Sequence, residues 1–439
     1  MNKLIFSLLL LLVVGTSLNA QLKSGPMVGY SDMKEVMLWV QTEKPAKVKF
    51  VYWDQKNPAK KMTTEEVLTT KKDGYSAKLI CDEVTMAKKY TYEVYVDGKK
   101  VARPYPLSFQ TQEIYQWRKD PEPFKFVIGS CNYINEPETD RPGTPYGGHT
   151  EIFTSIYEKK PDFMVWGGDN FYYREPDWNT RTGMIHRNTH SRSLPELQPL
   201  LGSTHHYAIW DDHDYGPNDS DRSFWNKDMA LEMFKTFWAN PNYAFKDEAC
   251  TGTFQWNDVQ FFLLDDRWFR SPNDLYVGER EYLGQRQLNW LIDALSGSKA
   301  TFKIIVVGGQ VVNPVKVFEN MAVYEAERKK LLDKITEAKI EGVLFVTGDR
   351  HHSCLQKLDR PNTYPLYDVT VSPFTSGPAK MMEEEKVSPT LIQGTTVEER
   401  NFALCEVTGT LKDRRLKISI FDSKGAEKWT REIKANELK

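Results

Sequence analysis

The chain has 439 residues, with Lys plus Arg at 58, Asp plus Glu at 60 and a net charge of −2. That length implies two domains and ample material for a core. The balanced charge excludes a basic surface that condenses on nucleic acid or anionic lipid, so no specific nucleic-acid binding is expected.

The first twenty residues, MNKLIFSLLLLLVVGTSLNA, read as an export signal: one lysine, an apolar core, then small and polar residues to Ala20. No twin arginine precedes the apolar core, which predicts a Sec-type signal, and no cysteine follows it to carry a lipid. No later stretch is long and apolar enough to span a bilayer. The expectation is a periplasmic or secreted monomer.

Residues 21–118 alternate apolar and polar side chains between turns, as in EVMLWVQT, KVKFVYWD, AKLICDE and YTYEVYVDGKKV. This pattern predicts antiparallel strands, with Asp97-Gly98 as a hairpin turn. The expected unit is a small all-β sandwich similar to a fibronectin type III domain, followed by WRKDPEPF as linker.

From about 122 onward the pattern changes. FKFVIGSCN, FMVWGGDN, HYAIWDDHD, VQFFLLDDR, FKIIVVGGQ and GVLFVTGDRHH read as buried strands. TEIFTSIYEKK, DMALEMFKTFWA, QRQLNWLIDAL and AVYEAERKKLLDKITEAKI read as helices, with Thr150 capping the first. The alternation predicts a layered α/β domain over 122–439, its core at about 122–375 and a β segment at about 400–435. All eight histidines lie between 149 and 352, inside this domain.

In α/β sheets, ligands bind beyond the carboxyl ends of the strands. Five such ends carry metal-type residues: Cys131 after VIGS, Asp169 and Tyr172 in GGDNFYY, Asp212 to Asp214 in WDDHD, Gln310 in VVGGQ, and Asp349 with His351 in GDRHH. Each has a plainer reading. A strand cysteine is usually a small buried hydrophobe. The acidic run DDHDYGPNDSD reads alone as a solvated loop, though not as an EF-hand, since no Glu stands at its twelfth position. Gln310 reads alone as a strand cap, and His205, His206 and His352 as packed rings. Recurrence at five ends in chain order favours the functional reading. It also bears on the five cysteines: a ligand role for Cys131 leaves Cys81, Cys250, Cys354 and Cys405 free to pair.

The ordered set resembles the calcineurin-like metallophosphatases, and within them the PhoD-type alkaline phosphatases. The resemblance rests on Ser130-Cys131, the Gly168–Tyr172 motif, the Asp211–Asp214 run, the Gly348–His351 motif and LGQRQLNWL at 283–291. It implies a four-layer α/β/β/α sandwich and an exported dinuclear-metal phosphoesterase, with metal-bridging hydroxide as nucleophile. The implied metals are iron and calcium.

The donor chemistry agrees. Two cations a few Å apart neutralise the phosphoryl oxygens and supply a nucleophile. Asp169 is the candidate bridge. Cys131, Tyr172 and His351 complete a first site, whose anionic thiolate and phenolate suit Fe³⁺. Asp169, Asp212, Asp349 and Gln310 offer an all-oxygen second site suited to Ca²⁺, with Mg²⁺, Mn²⁺ or Zn²⁺ as alternatives. His213 is the expected general acid, with Asp214 orienting its ring and raising its pKa. Arg174, Arg267, Arg270 and Arg350 are candidates for gripping phosphate, and Tyr173, Trp178 and Trp210 for an apolar wall.

Substrates would be phosphomonoesters, phosphodiesters or both, small or polymeric. One rival is a dedicated phosphodiesterase acting on nucleotides, lipid head groups or teichoic-acid-like polymers. A rival of another class is a non-catalytic, metal-stabilised binding or adhesion protein.

Overall fold

The computed structural model describes residues 22–439, so the expected export segment at 1–20 lies outside the described residues. Among the described residues no helix is long and apolar enough to cross a membrane.

The uninterrupted apolar runs become strands buried on both faces. Phe163–Gly167, His205–Ile209, Phe302–Val306 and Val343–Thr347 are buried along their whole length. Such strands belong in parallel sheets covered on both sides, and they pair in parallel here. A nine-stranded sheet runs, edge to edge, Glu427–Lys434, Arg415–Asp422, Asn401–Thr408, Phe124–Gly129, Phe163–Gly167, His205–Ile209, Leu22–Ser31, Val36–Thr42 and Ser76–Cys81. A six-stranded sheet runs Gly252–Trp256, Val259–Leu263, Phe302–Val306, Val343–Thr347, Leu366–Thr370 and Cys354–Leu358.

The two sheets meet through aromatic rings. Phe126 meets Phe261 edge-on with centroids 5.2 Å apart, Phe163 lies 4.6 Å from Trp256, and Tyr207 stacks on Phe254 at 3.6 Å. Helices cover the outer faces. Ile152–Glu158 lays Phe153 on Trp166 of the nine-stranded sheet. Gln285–Gly297 buries Leu288, Leu291 and Leu295, and Glu325–Glu337 buries Leu331 and Ile335, within the core that the two sheets share. The result is the expected α/β/β/α sandwich.

Some local expectations change. Thr150 does not cap the first helix; its hydroxyl donates to Glu196 instead. The helix Arg181–Arg192 has no apolar stripe to announce it, because it turns Arg187, Asn188, Ser191 and Arg192 inward beside Met184.

The N-terminal region is all-β, as expected. Asp97 and Gly98 have φ of 48° and 75° and join Val96 to its partner Lys99, the two-residue turn that matches strand twist. The region has an apolar core of its own. However, Leu22–Ser31 pairs in parallel with His205–Ile209, Val28 opposite His205. One continuous sheet therefore crosses the linker expected near residue 120.

The expected pairing of Cys81, Cys250, Cys354 and Cys405 is corrected: all five cysteines are free and buried. Cys81 lies on one edge strand of the nine-stranded sheet, Cys405 on the third strand from its other edge, and Cys354 in the six-stranded sheet. Cys81, Cys250 and Cys405 serve as small apolar fillers, and Cys354 Sγ accepts from the Gln310 and Gln356 amides at 3.7 and 3.8 Å.

Candidate active site

The site lies where strand ends of the two sheets meet. Beyond these ends the chain turns sharply: Cys131, Asp169, Asp349 and His351 take φ of 58°, 52°, 62° and 55°. Non-glycine residues rarely adopt this left-handed conformation, and clusters of them mark places where a side chain must be aimed. Gly168, at φ 96°, has no alternative, since a Cβ there would stand 2.7 Å from that of Asp211.

Donor atoms of Cys131, Asp169 and His351 fall within 4.8 Å of one another. The Cys131 Sγ lies 3.6 Å from Asp169 Oδ2, and the Tyr172 hydroxyl donates to the same oxygen at 3.1 Å. That hydroxyl is also 3.3 Å from His351 Nε2. Thiol, carboxylate, phenol and imidazole thus face one point. His351 is held from behind: its Nδ1 donates to the Gly377 carbonyl at 2.6 Å, which leaves Nε2 turned inward.

Asp169, Asp212 and His213 form a second converging group, and Asp212, Asp219 and Glu319 a third. Asp212 Oδ2 accepts from the Asp219 amide at 2.7 Å, while its buried Oδ1 has no hydrogen-bond partner. Arg267 Nη2 stands 4.0 Å from that Oδ1, in ion-pair range but beyond hydrogen-bonding reach, and a buried carboxylate oxygen without a hydrogen bond is costly unless a closer cation faces it.

The electrostatics agree. Burial, then the charge of Asp349, pushes the Cys131 thiol up to about 11. Burial, then the charge of Asp212, raises Asp169 well above the usual carboxylate range and Asp349 to about 6. Asp212 moves the other way: burial opposes its ionisation, but His213 and Arg267 prevail and hold it low. Burial holds His213 below its ordinary value against the pull of Asp212. A dehydrated cluster of acidic groups that resist ionising is what a bound cation neutralises. The residues present therefore fit metal ions.

Several sequence expectations are corrected here. Asp214 does not orient His213 or raise its pKa. Its carboxylate accepts from the Asp211 amide at 2.6 Å and from the backbone and side chain of Asn170 at 3.1 and 2.5 Å, closing the one-turn helix Asp212–Tyr215. The carboxylate beside His213 Nε2 is Asp212, at 3.9 Å. Gln310 is not presented to a metal: its amide donates to Thr370 at 2.8 Å and accepts from Asn313 and Arg350 at 2.9 and 3.0 Å. Asp349 stays outside the converging groups and acts on Cys131 through charge.

Three of the four arginines are also reassigned, because each is buried against an acid. Arg267 pairs with Asp211 and Glu319, Arg270 with Glu319, and Arg350 with Glu385. Arg174 alone lines the mouth of the site, a cavity of about 300 Å³ that also presents Arg141, Tyr133, Tyr146, Tyr172 and His213. The wall is not built from Tyr173 and Trp210, which are buried in the core, nor from Trp178, which packs against it. It consists of Tyr133, Tyr146 and Tyr172, whose rings pack at 5.1 to 6.4 Å. Asp219 had a signal in its acidic loop; Glu319, Tyr133 and Tyr146 had none.

A family model described as PhoD-like phosphatase matches residues 126–412, and one described as a domain of unknown function (DUF7800) matches residues 19–114. No curated protein matches the chain. A solved structure described as "Structure of PhoD" superposes with a TM-score of 0.74 at 15% identity, covering 94% of this chain and 92% of that one. This likeness shows the fold. Vps29 from Chaetomium thermophilum reaches 0.23 at 10% identity over 71% of this chain and 96% of that one. The sensor domain of the anti-sigma factor RsgI4 in Pseudobacteroides cellulosolvens reaches 0.18 at 11% identity over 22% and 97%. Neither of these two carries an argument.

Proposed function

We propose that this chain, which belongs to the PhoD-like phosphatase family and is a phosphoric ester hydrolase, is an exported, monomeric, dinuclear-metal phosphoesterase acting on phosphomonoesters, phosphodiesters or both. Family membership sets aside the non-catalytic reading. The observation that carries the metal assignment is the convergence of Cys131, Asp169, Tyr172 and His351 on one point, with Asp169 shared by the group of Asp212 and His213.

The first group would hold Fe³⁺, since thiolate and phenolate are anionic donors that offset a trivalent charge. Asp169 and Asp212 would hold Ca²⁺, Mg²⁺, Mn²⁺ or Zn²⁺. When bound, such cations neutralise phosphoryl charge and provide the nucleophile. The chain's own residues do the rest. Arg174 binds non-bridging phosphoryl oxygens from the cavity wall. His213, whose side chain is 20% exposed toward that cavity, gives a proton to the departing alkoxide, and Asp212 supports its charged form. Tyr133 and Tyr146 screen the leaving group from water.

Elemental analysis of full-length, exported protein, with a visible spectrum, tests this reading. About one iron per chain with calcium supports it. Two zinc or manganese ions keep the phosphoesterase and reject iron. A protein that binds no metal yet hydrolyses esters rejects the metal mechanism. Relative turnover on mono- and diester chromogenic substrates separates this reading from a dedicated phosphodiesterase.

A further inference from the structure

Arginines near a cluster of acids normally end in ion pairs, because an isolated buried charge is costly. Arg187, Arg267, Arg270 and Arg350 obey: each meets a carboxylate at 2.6 to 2.9 Å. Arg141 and Arg174 are in no ion pair among the described residues, and both line the same mouth. Arg174 lies over the Tyr133 ring, 5.7 Å from its centroid, and its buried Nε has no hydrogen-bond partner. Arg141 stands exposed on the loop between Asn135 and Gly147, which lines the same mouth.

That loop is rigid. The Asn135 side chain and the Gly147 backbone exchange hydrogen bonds at 2.8 and 2.9 Å. Glu136 is tied to Arg187 at 2.6 Å and to His186 at 2.7 Å. One acid, Asp140, lines the same cavity beside Arg141, but its two oxygens are engaged. One accepts from the Tyr133 hydroxyl at 2.5 Å and the other from the Glu136 amide at 2.8 Å. The chain thus ties the acid next to Arg141 in sequence to other partners and leaves a second guanidinium out of any ion pair at the mouth of the site. A cation placed in advance binds an anion without the entropy of ordering a loop.

We propose that Arg141 is a specificity-determining residue that binds a second anionic group, a phosphate or carboxylate carried on the leaving group of the substrate. The scissile phosphoryl group is held by Arg174 beside His213. The leaving group crosses the faces of Tyr133 and Tyr146, and its own anion reaches Arg141. This rests on the phosphoesterase reading and names the class of ester that the mouth prefers.

The test is phosphate release by metal-replete, full-length protein from propane-1,3-diol monophosphate and from its bisphosphate, which differ only in the second phosphate. The bisphosphate has two equivalent scissile ends, worth a factor of about two. One additional charge-assisted pair is expected to raise its kcat/KM at least about tenfold over the monophosphate. Arg141→Gln should bring that ratio down to about two, and Arg141→Lys should retain part of it. Tyr133→Phe, which frees Asp140 to neutralise Arg141, should also lower it. A wild-type ratio near two overturns the proposal, as does a high ratio that survives in Arg141→Gln. Release from neither substrate, with a chromogenic diester still hydrolysed, identifies a dedicated phosphodiesterase and overturns the proposal; loss of hydrolysis on all three substrates is failure of the phosphoesterase reading itself.

Discussion

The Tyr172 hydroxyl stands 3.1 Å from the Asp169 carboxylate, three residues earlier on the same turn. Asp169 leaves its strand in a left-handed conformation, so the chain doubles back and delivers the phenol to the same point as the acid. Burial, then the charge of Asp169, drives the free phenol far above its ordinary value. Only a strong cation would ionise it there. Loaded with iron, the protein should be coloured by phenolate or thiolate charge transfer. Tyr172→Phe and Cys131→Ser should each weaken or shift that band. An unchanged visible spectrum in both variants rejects the assignment of iron to this group.

His213 is expected to matter most when the leaving alkoxide is basic. Loss of a positioned acid costs about 10²–10⁴-fold. His213→Gln should therefore lower kcat on an alkyl phosphate by about that much, and far less on a nitrophenyl ester, whose leaving group needs no proton. Equal losses on both substrates would mean that His213 holds a metal or the fold instead.

Asp214 should behave as a structural residue. It accepts from two backbone amides and one side chain, and removing a buried acceptor leaves those donors unpaired at a cost of about 1–3 kcal/mol. Asp214→Ala should lower the unfolding free energy by roughly that amount. The pH profile of its kcat should keep the shape of the parent protein's. A profile that loses one limb would return Asp214 to the proton path.

Arg267 is fully buried against Asp211 and Glu319. Arg267→Ala strips both acids of their counter-charge, which typically costs about 3–5 kcal/mol. Arg174→Gln should instead leave the melting temperature near that of the parent and reduce kcat/KM. Thermal melts and steady-state kinetics on the two variants distinguish these roles, and the opposite pattern would exchange them.

Cation binding should release protons. With the Cys131 thiol pushed up to about 11, the metal-free protein carries that proton at neutral pH. Affinity should therefore rise with pH, since the ligand groups must lose their protons to bind. Calorimetry of cation binding in two buffers of different ionisation enthalpy reads the proton count directly. A count near zero at neutral pH would show that Cys131 is not a ligand.

The sequence alone determined the layered α/β plan and the places where chemistry gathers. Apolar runs such as FMVWGGDN form strands wherever they fall, and a polar residue just past such a run has only the strand end on which to sit. Cys131, Asp169, Tyr172 and His351 were legible for that reason. Tertiary structure decided which polar group faces which. Gln310 and Asp214 sit at strand ends too, yet their capacity is consumed by Thr370, Asn313 and Asn170. Arg267 and Arg350 look like phosphate binders until Glu319 and Glu385 arrive from 52 and 35 residues away. Tyr133, Tyr146 and Arg141 become a mouth only when their loop is pinned to Arg187. Hydrogen bonds and ion pairs form between whatever the fold brings within about 3 Å, and that proximity is a property of the assembled sheets and not of neighbouring positions in the chain.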